Sequence, residues 1–370
     1  MRTLLRTTFL AVIVAISARA QAPARTSTSI SIGRIDSIWS PTLKERRKIW
    51  IYTPPSYSDT ISAPQRYPVL YLLDGDAHFH SVTGLLQILG TGVNGTYVVP
   101  EMIVVAIPNT DRTRDLTPTH TEAGLDGKAN PGFKTSGGGP AFLRFMKSEL
   151  IPHIDSTLRT APYRMLVGHS FGGIATISAL YTMPETFNAY VAIDPSLWWD
   201  NRTLLRQATD YFKKAKLANR VLFVGQANTL SPTDTTDNAH YSSIVRFNRL
   251  LERYRPAGFR YAYKYYPDDS HGSVPLIAEY DALRFIFADY NLDLPRAVDD
   301  PAYLTEHFKA VSASMGYSVQ PTERTLLQLS QIALQSDTAK AVALLDMTTR
   351  LYPNNQRAKV LLRTLRRGQH

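Results

Sequence analysis

The chain has 370 residues and a formal net charge of +10, with 44% hydrophobic and 19% charged residues. That balance is ordinary for a globular chain able to bury a sizeable core, and the absence of cysteine excludes disulfides, thiolate metal sites and a cysteine nucleophile. Its Lys and Arg residues are scattered rather than gathered into one stripe with interleaved aromatics, which points to a solvated surface with a bias toward anionic ligands and away from nucleic acid.

Arg2 and Arg6 precede a short apolar run over residues 9–16, and Ala18-Arg19-Ala20 fits a small-x-small cleavage site. This order predicts an export signal over residues 1–20, a mature start at Gln21 and a periplasmic or secreted protein. The apolar run is shorter than the roughly 20 residues a spanning helix needs, and no later stretch reaches that length, so no membrane span is expected. Strand-like runs follow at residues 29–39, 48–53, 69–73, 102–107, 164–167, 190–193, 221–224 and 261–265. Helical patterns fall between them at 142–154, 174–181, 242–254 and 276–290. Strands alternating with helices predict an α/β class with a mostly parallel sheet covered on both faces. Residues 124–139 are rich in Gly, Lys, Asn, Pro and Ser and read as a long loop. The Asp and Pro content near 291–301 suggests a linker, which divides the chain into a catalytic domain at 29–292 and a helical tail at 300–370. Amphipathic patterns at 323–334, 338–351 and 355–365, with Tyr352-Pro353-Asn354 between the last two, resemble one tetratricopeptide unit. One such unit cannot bury its own face, so the tail is expected to pack on its own chain or on a protein partner.

Gly168-His169-Ser170-Phe171-Gly172 matches the G-x-S-x-G elbow, directly after a strand run and directly before a helical one. A strand-to-helix turn there raises Ser170 to the carboxyl edge of the sheet, where open α/β sheets bind ligands. The backbone N–H of Phe171 supplies one oxyanion donor, and Gly75, after the strand at 69–73, is the candidate for the second. The general base is expected late in the chain, and His271 lies in a loop after the last strand. The usual place for the acid, after the strand at 221–224, reads Gly225-Gln226-Ala227-Asn228 and holds no carboxylate. Asp237 is the candidate, with Asp234 in the same stretch, Asp194 after the strand at 190–193, and a Ser–His dyad as alternatives. No metal-ligand spacing, dinucleotide fingerprint or P-loop occurs, so neither metal nor cofactor is expected.

Four separated segments resemble one family: Tyr71-Leu72-Leu73-Asp74-Gly75, residues 167–173 around Ser170, Asp194-Pro195-Ser196-Leu197-Trp198-Trp199, and Asp269-Ser270-His271-Gly272. They are similar to the α/β-hydrolase esterases that include esterase D, enterochelin and salmochelin esterases, and feruloyl esterases. The resemblance covers residues 30–290. It implies an α/β-hydrolase fold and cleavage of a small-molecule carboxylic ester, with Ser170 and His271 in the catalytic places. It also implies substrate contacts at Trp198 and Trp199, with core packing as the alternative for the pair, and His169, inside the elbow, is a further substrate-contact candidate whose alternative is to point away from the site. The alternatives are an acyltransferase of the same fold and a catalytically silent binding module.

Overall fold

Eight strands form one sheet in the order β1-β2-β4-β3-β5-β6-β7-β8: β1 Arg34–Ser40, β2 Glu45–Tyr52, β3 Tyr67–Leu73, β4 Ile103–Ile107, β5 Thr160–His169, β6 Ala189–Ile193, β7 Val221–Ala227 and β8 Arg260–Tyr266. The first two strands pair antiparallel with each other, β2 pairs antiparallel with β4, and the remaining neighbours run parallel. This is the α/β-hydrolase arrangement. The computed structural model describes residues 29–91, 97–233 and 237–367, and all of these elements lie in the unit Ile32–His370. The export signal expected over residues 1–20 lies outside the described residues. No described helix is long and apolar enough to cross a membrane.

The continuous apolar runs became the inner strands because parallel strands are covered on both faces. All seven residues of β3 are buried. Alternate side chains feed opposite layers: Tyr67, Val69, Tyr71 and Leu73 join one core, and Leu70 and Leu72 join the other. The covering helices of the sheet domain are α1 Gly75–Gly90, α2 Arg112–Leu116, α3 Gly139–Phe145, α4 Ile151–Thr157, α5 Phe171–Thr182, α6 Trp199–Lys214, α7 Ala239–Tyr254 and α8 Val274–Ile286. Among these, α1, α2 and α6 have no counterpart among the helical patterns read from the sequence. Histidines and three glycines dilute the pattern of α1, α2 is only five residues long, and α6 carries three left-handed residues, Asp200, Asn201 and Arg202, just after its first residue.

The segment read as a linker is helical. Two helices, α9 Leu294–Asp299 and α10 Pro301–Met315, fill it. Its Asp and Pro residues are start signals: Asp293 caps the N–H of Arg296, Asp300 caps that of Ala302, and a proline stands at the head of each helix. Then come α11 Glu323–Leu334, α12 Thr338–Leu351 and α13 Gln356–Arg367, at the places the periodicity predicts. A third core joins Leu292, Ala297, Leu304, Leu326, Leu329, Ala341 and Leu344. Val311 and Met315 of α10 belong instead to a core of the sheet, and Tyr317 packs on Tyr163 with ring centroids 6.4 Å apart. Glu323 accepts from the backbone N–H of Ala63, and the Tyr97 hydroxyl donates to Gln328. The tail therefore buries apolar surface on its own chain.

A cut near residue 300 does not meet a free linker. Fully burying an apolar side chain is worth about 1.5–3 kcal/mol, and α10 places two such side chains in the sheet core. A chain ending at Asp299 is expected to be insoluble or to melt more than about 10 °C lower. A chain ending at Asn355 loses the small cluster of Ala358 and Leu362 with Leu345, the packing of Leu365 and the exposed Arg366–Asp346 pair, and is expected to stay folded in the same thermal melts.

Candidate active site

The elbow is built by close approach. Ser170, between β5 and α5, has φ 60° and ψ −114°, a strained conformation for a residue with a side chain. A Cβ at Gly168 would lie 2.2 Å from the Gly172 carbonyl oxygen, and one at Gly173 would lie 2.9 Å from Pro195. Glycine is required at both places for steric reasons. The strain is held from the neighbouring strand: Ser170 N–H donates to the Ile193 carbonyl at 2.9 Å, and Ser196 N–H donates to the Ser170 carbonyl at 3.1 Å. The Ser170 and Ser196 hydroxyls lie 3.3 Å apart.

Strand register sets the second turn beside the first. Leu72 of β3 pairs with Val167 of β5, so Gly75 and Ser170, three residues further on in each strand, stand at one level. Phe171 and Gly75 are the first residues of α5 and α1, and first-turn N–H groups of a helix have no partner within it. Two such donors can receive an oxyanion. Asp74 takes the left-handed conformation at this turn. Its carboxylate receives Arg112 through two nitrogens, at 2.6 and 3.0 Å, and Arg112 also donates to the His169 carbonyl at 3.2 Å. This bidentate pair ties the α1 turn to the elbow.

Asp194 follows β6 directly, as Ser170 follows β5, and is fully buried. Its N–H donates to Gly225 and its Oδ1 accepts from Ala227 N–H at 3.0 Å. Oδ2 accepts from two imidazoles, His271 Nδ1 at 2.6 Å and His240 Nε2 at 2.9 Å. Burial opposes ionisation of Asp194, but the bonds from His240 and His271 outweigh it and hold the carboxyl well below its usual range. A carboxylate only accepts, so His271 carries a proton on Nδ1, and in the neutral ring Nε2 is then the free base. The atoms of Asp194, His240 and His271 lie close enough to ligate a metal; the two N–H···O bonds account for the grouping without an ion.

The acid expected at Asp237 is not beside the base. Asp237 is exposed and lies 3.9 Å from Arg246, while Asp194 bonds to His271. The position of Asp194, one residue past a strand run, was the available signal. Asn228 does not orient the ring either: its Nδ2 donates to the Pro267 carbonyl at 3.0 Å, bracing the loop that carries His271. Asp234 lies outside the described residues. Trp199 also departs from expectation, since it is 1% exposed and its Nε1 donates to Thr119 at 3.1 Å. It anchors the loop over residues 117–138 from inside and offers no face to a substrate. Trp198 is half-buried and shares an aromatic cluster with Phe133 and Phe171. His169 packs on His271 with ring centroids 4.5 Å apart. Burial pushes it down to about 4, and its buried Nε2 has no hydrogen-bond partner among the described residues.

Residues 40–270 match the family described as "Putative esterase". Ferri-bacillibactin esterase BesA of Bacillus subtilis is 30% identical over 246 residues, 62% of this chain and 82% of the relative. A siderophore enterobactin esterase of Emericella nidulans is 33% identical over 168 residues, 40% of this chain and 52% of the relative. An IroE-like serine hydrolase from Shewanella oneidensis has a similar structure, with a TM-score of 0.77 at 34% identity, covering 86% of this chain and 99% of that one. That coverage is longer than residues 1–292, so the likeness reaches into the C-terminal helices.

Behind the histidines, Glu279 of α8 is 4% exposed; the Ser81 hydroxyl donates to it at 3.1 Å, and His78 Nδ1 stands 3.8 Å away. Burial pushes its carboxyl up to about 8 and pushes His78 down. A carboxyl raised on folding stabilises most below its unfolded pKa, about 4.3, and that contribution is lost as pH rises through the folded value. Glu279→Gln is therefore expected to match the wild type in thermal unfolding at pH 4–5 and to melt several degrees higher at pH 9. An equal difference at both ends would contradict the buried protonated carboxyl.

Proposed function

The chain belongs to the "Putative esterase" family, and we propose that within it the protein is an exported serine esterase working through an acyl-enzyme. The observation that carries this reading is the 2.6 Å bond between His271 and the buried Asp194, on the sheet edge where Ser170 is held at φ 60°. Ser170 Oγ attacks the ester carbonyl as His271 Nε2 takes its proton. His271 keeps its Nδ1–H on Asp194, whose negative charge stabilises the imidazolium. The N–H groups of Phe171 and Gly75 hold the oxyanion, in a place where they need no reorganisation as charge develops. Collapse expels the alcohol, which receives the proton from His271. Water then enters by the same route, releases the acid and restores the serine.

The substrate we propose is a siderophore-type ester. The names of the relatives, esterases of ferri-bacillibactin and enterobactin, support this class. The half-buried Phe133 and Trp198 beside Phe171 offer a surface for aryl groups, and the net charge of +10 favours an anionic substrate. The positive, apolar, small-x-small order of residues 1–20 supports export.

Ser170→Ala and His271→Ala are each expected to lower kcat by about three orders of magnitude or more, and Asp194→Asn by about two to four. Asp237→Asn is expected to stay within about twofold of wild type, as an exposed substitution away from the site. Steady-state rates on a phenyl ester and on a tricatecholate trilactone, with circular dichroism to check folding, test this. Wild-type rates in Asp194→Asn would make the site a dyad, and an active Ser170→Ala would overturn the mechanism. A trilactone left intact by an enzyme that cleaves the phenyl ester would overturn the substrate class alone.

A further inference from the structure

We propose that His240 is a positioning residue for the catalytic acid, fixing the carboxylate oxygen of Asp194 that supports His271. The inference rests on the reading of Ser170, His271 and Asp194 given above.

The need for such a residue follows from strand order. The acid stands at the end of β6 and the base lies beyond β8, with β7 between them. The Asp194 side chain must therefore reach past the end of β7. Ala227, the last residue of that strand, fixes Oδ1 through its N–H at 3.0 Å. Oδ2 is left to be aimed, and the helix joining β7 to β8 supplies the group that aims it. His240 stands in the first turn of α7 and donates Nε2–H to Oδ2 at 2.9 Å. It shares that oxygen with His271, and the two rings meet edge to face, 89° apart in plane with centroids at 5.1 Å.

The start of α7 is itself held. Asn238 accepts from Ser231 N–H at 2.8 Å, and Arg202 donates to the Ser243 hydroxyl at 3.0 Å. His240 is thus presented from a braced helix end and not from a free loop. Without its N–H, Oδ2 keeps one partner, and the Asp194 side chain gains freedom to turn away from His271. The imidazolium formed during attack would then lose part of its carboxylate support. Because catalysis depends on geometry held to a fraction of an ångström, such a loss falls on turnover more than on binding.

The titratable groups around this centre are few. His271 faces Asp194, His240 and His169; His169 faces His78 of α1, with Asp74 and Arg112 beyond. Tyr263 of β8 feels the charge of Asp194, and Glu279 of α8 lies against His78. Of these groups the His240 donor touches only Asp194 and the His271 ring directly, so a change in the acid limb of the pH profile reports the Asp194–His271 pair.

The test measures kcat, KM and the pH profile of kcat/KM on a phenyl ester for His240→Ala, His240→Gln and Asp194→Asn, with thermal melts. His240→Ala is expected to lower kcat about ten- to a hundredfold with KM within about threefold. Its acid limb should move about 0.5–1 unit to lower pH, since a less supported imidazolium gives up its proton more readily. His240→Gln keeps an N–H donor of similar reach and is expected to recover most of the rate and the limb. A slow Asp194→Asn beside a His240→Ala with wild-type rate and limb overturns this inference alone; an Asp194→Asn at wild-type rate overturns the underlying reading. A lowered melting temperature with an unmoved limb would assign His240 a merely structural role and also overturns the inference. Should His240→Ala fail to fold, His240→Gln is compared with His240→Met, which fills similar space without a donor, and equal rates and limbs in the two overturn it.

Discussion

The centre depends on a carboxylate that reaches across the end of a strand. Asp194 leaves β6 and touches the last N–H of β7 with one oxygen, and it offers the other to a histidine from beyond β8. A fully buried carboxylate is costly unless every lone pair it exposes is satisfied. Here the satisfaction comes from three elements that are far apart in sequence and adjacent only through the register of the sheet. That register is therefore a constraint on the chemistry. Slipping β7 by one residue against β6 would remove the Ala227 donor and present the opposite face of the strand.

The other half of the site obeys the same logic. Pairing of Leu72 with Val167 puts the Gly75 turn beside the Ser170 turn, and the Asp74–Arg112 pair then binds the two together. Arg112 lies 34% exposed over the Phe171 ring, so the link is not sealed from water. Its value is geometric: a bidentate pair fixes orientation more than a single ion contact does. The strained Ser170 is tolerated because Ile193 of β6 holds its N–H and Ser196, just past that strand, holds its carbonyl.

Much of this was legible from residue order. All eight strands coincide with the runs read from the sequence, because inner strands of a parallel sheet are apolar without interruption. The elbow was legible for steric reasons, since the glycines are demanded by contacts of 2.2 and 2.9 Å. The proposed acid was not, because a local motif marks Ser170 while the partner of His271 is identified by what lies across the sheet. Asp194 carries one sequence signal that Asp237 lacks, its place directly after a strand run, but that signal does not say which histidine it faces. Asp237 is exposed and Asp194 is buried between two imidazoles. Trp199 misled for a related reason: a tryptophan near a cleft can line it or hold up its wall, and only burial distinguishes the two. The segment at 291–301 was read as a linker because Asp and Pro suit both turns and helix starts, and the caps at Asp293 and Asp300 decide for the helix.

The C-terminal helices complete the sheet from the edge opposite the chemistry. Their fastenings are Ala63 ahead of β3, Tyr97 ahead of β4, Tyr163 early in β5 and Arg260 at the start of β8. Ser170, Asp194 and His271 all follow strand ends. Tail and site are thus linked through the close-packed strands and through α8, which begins just after His271 and whose Ile286 shares a core with Val311 and Met315. Substitutions in the seam should fall on stability and leave the cleft alone. The loop over residues 117–138 lies instead beside Ser170, with its Phe133 on Phe171 and its Thr119 carbonyl held by Trp199. Differences in substrate choice between chains with this site are therefore to be sought in that loop and in Trp198, where aromatic side chains reach the surface beside the nucleophile.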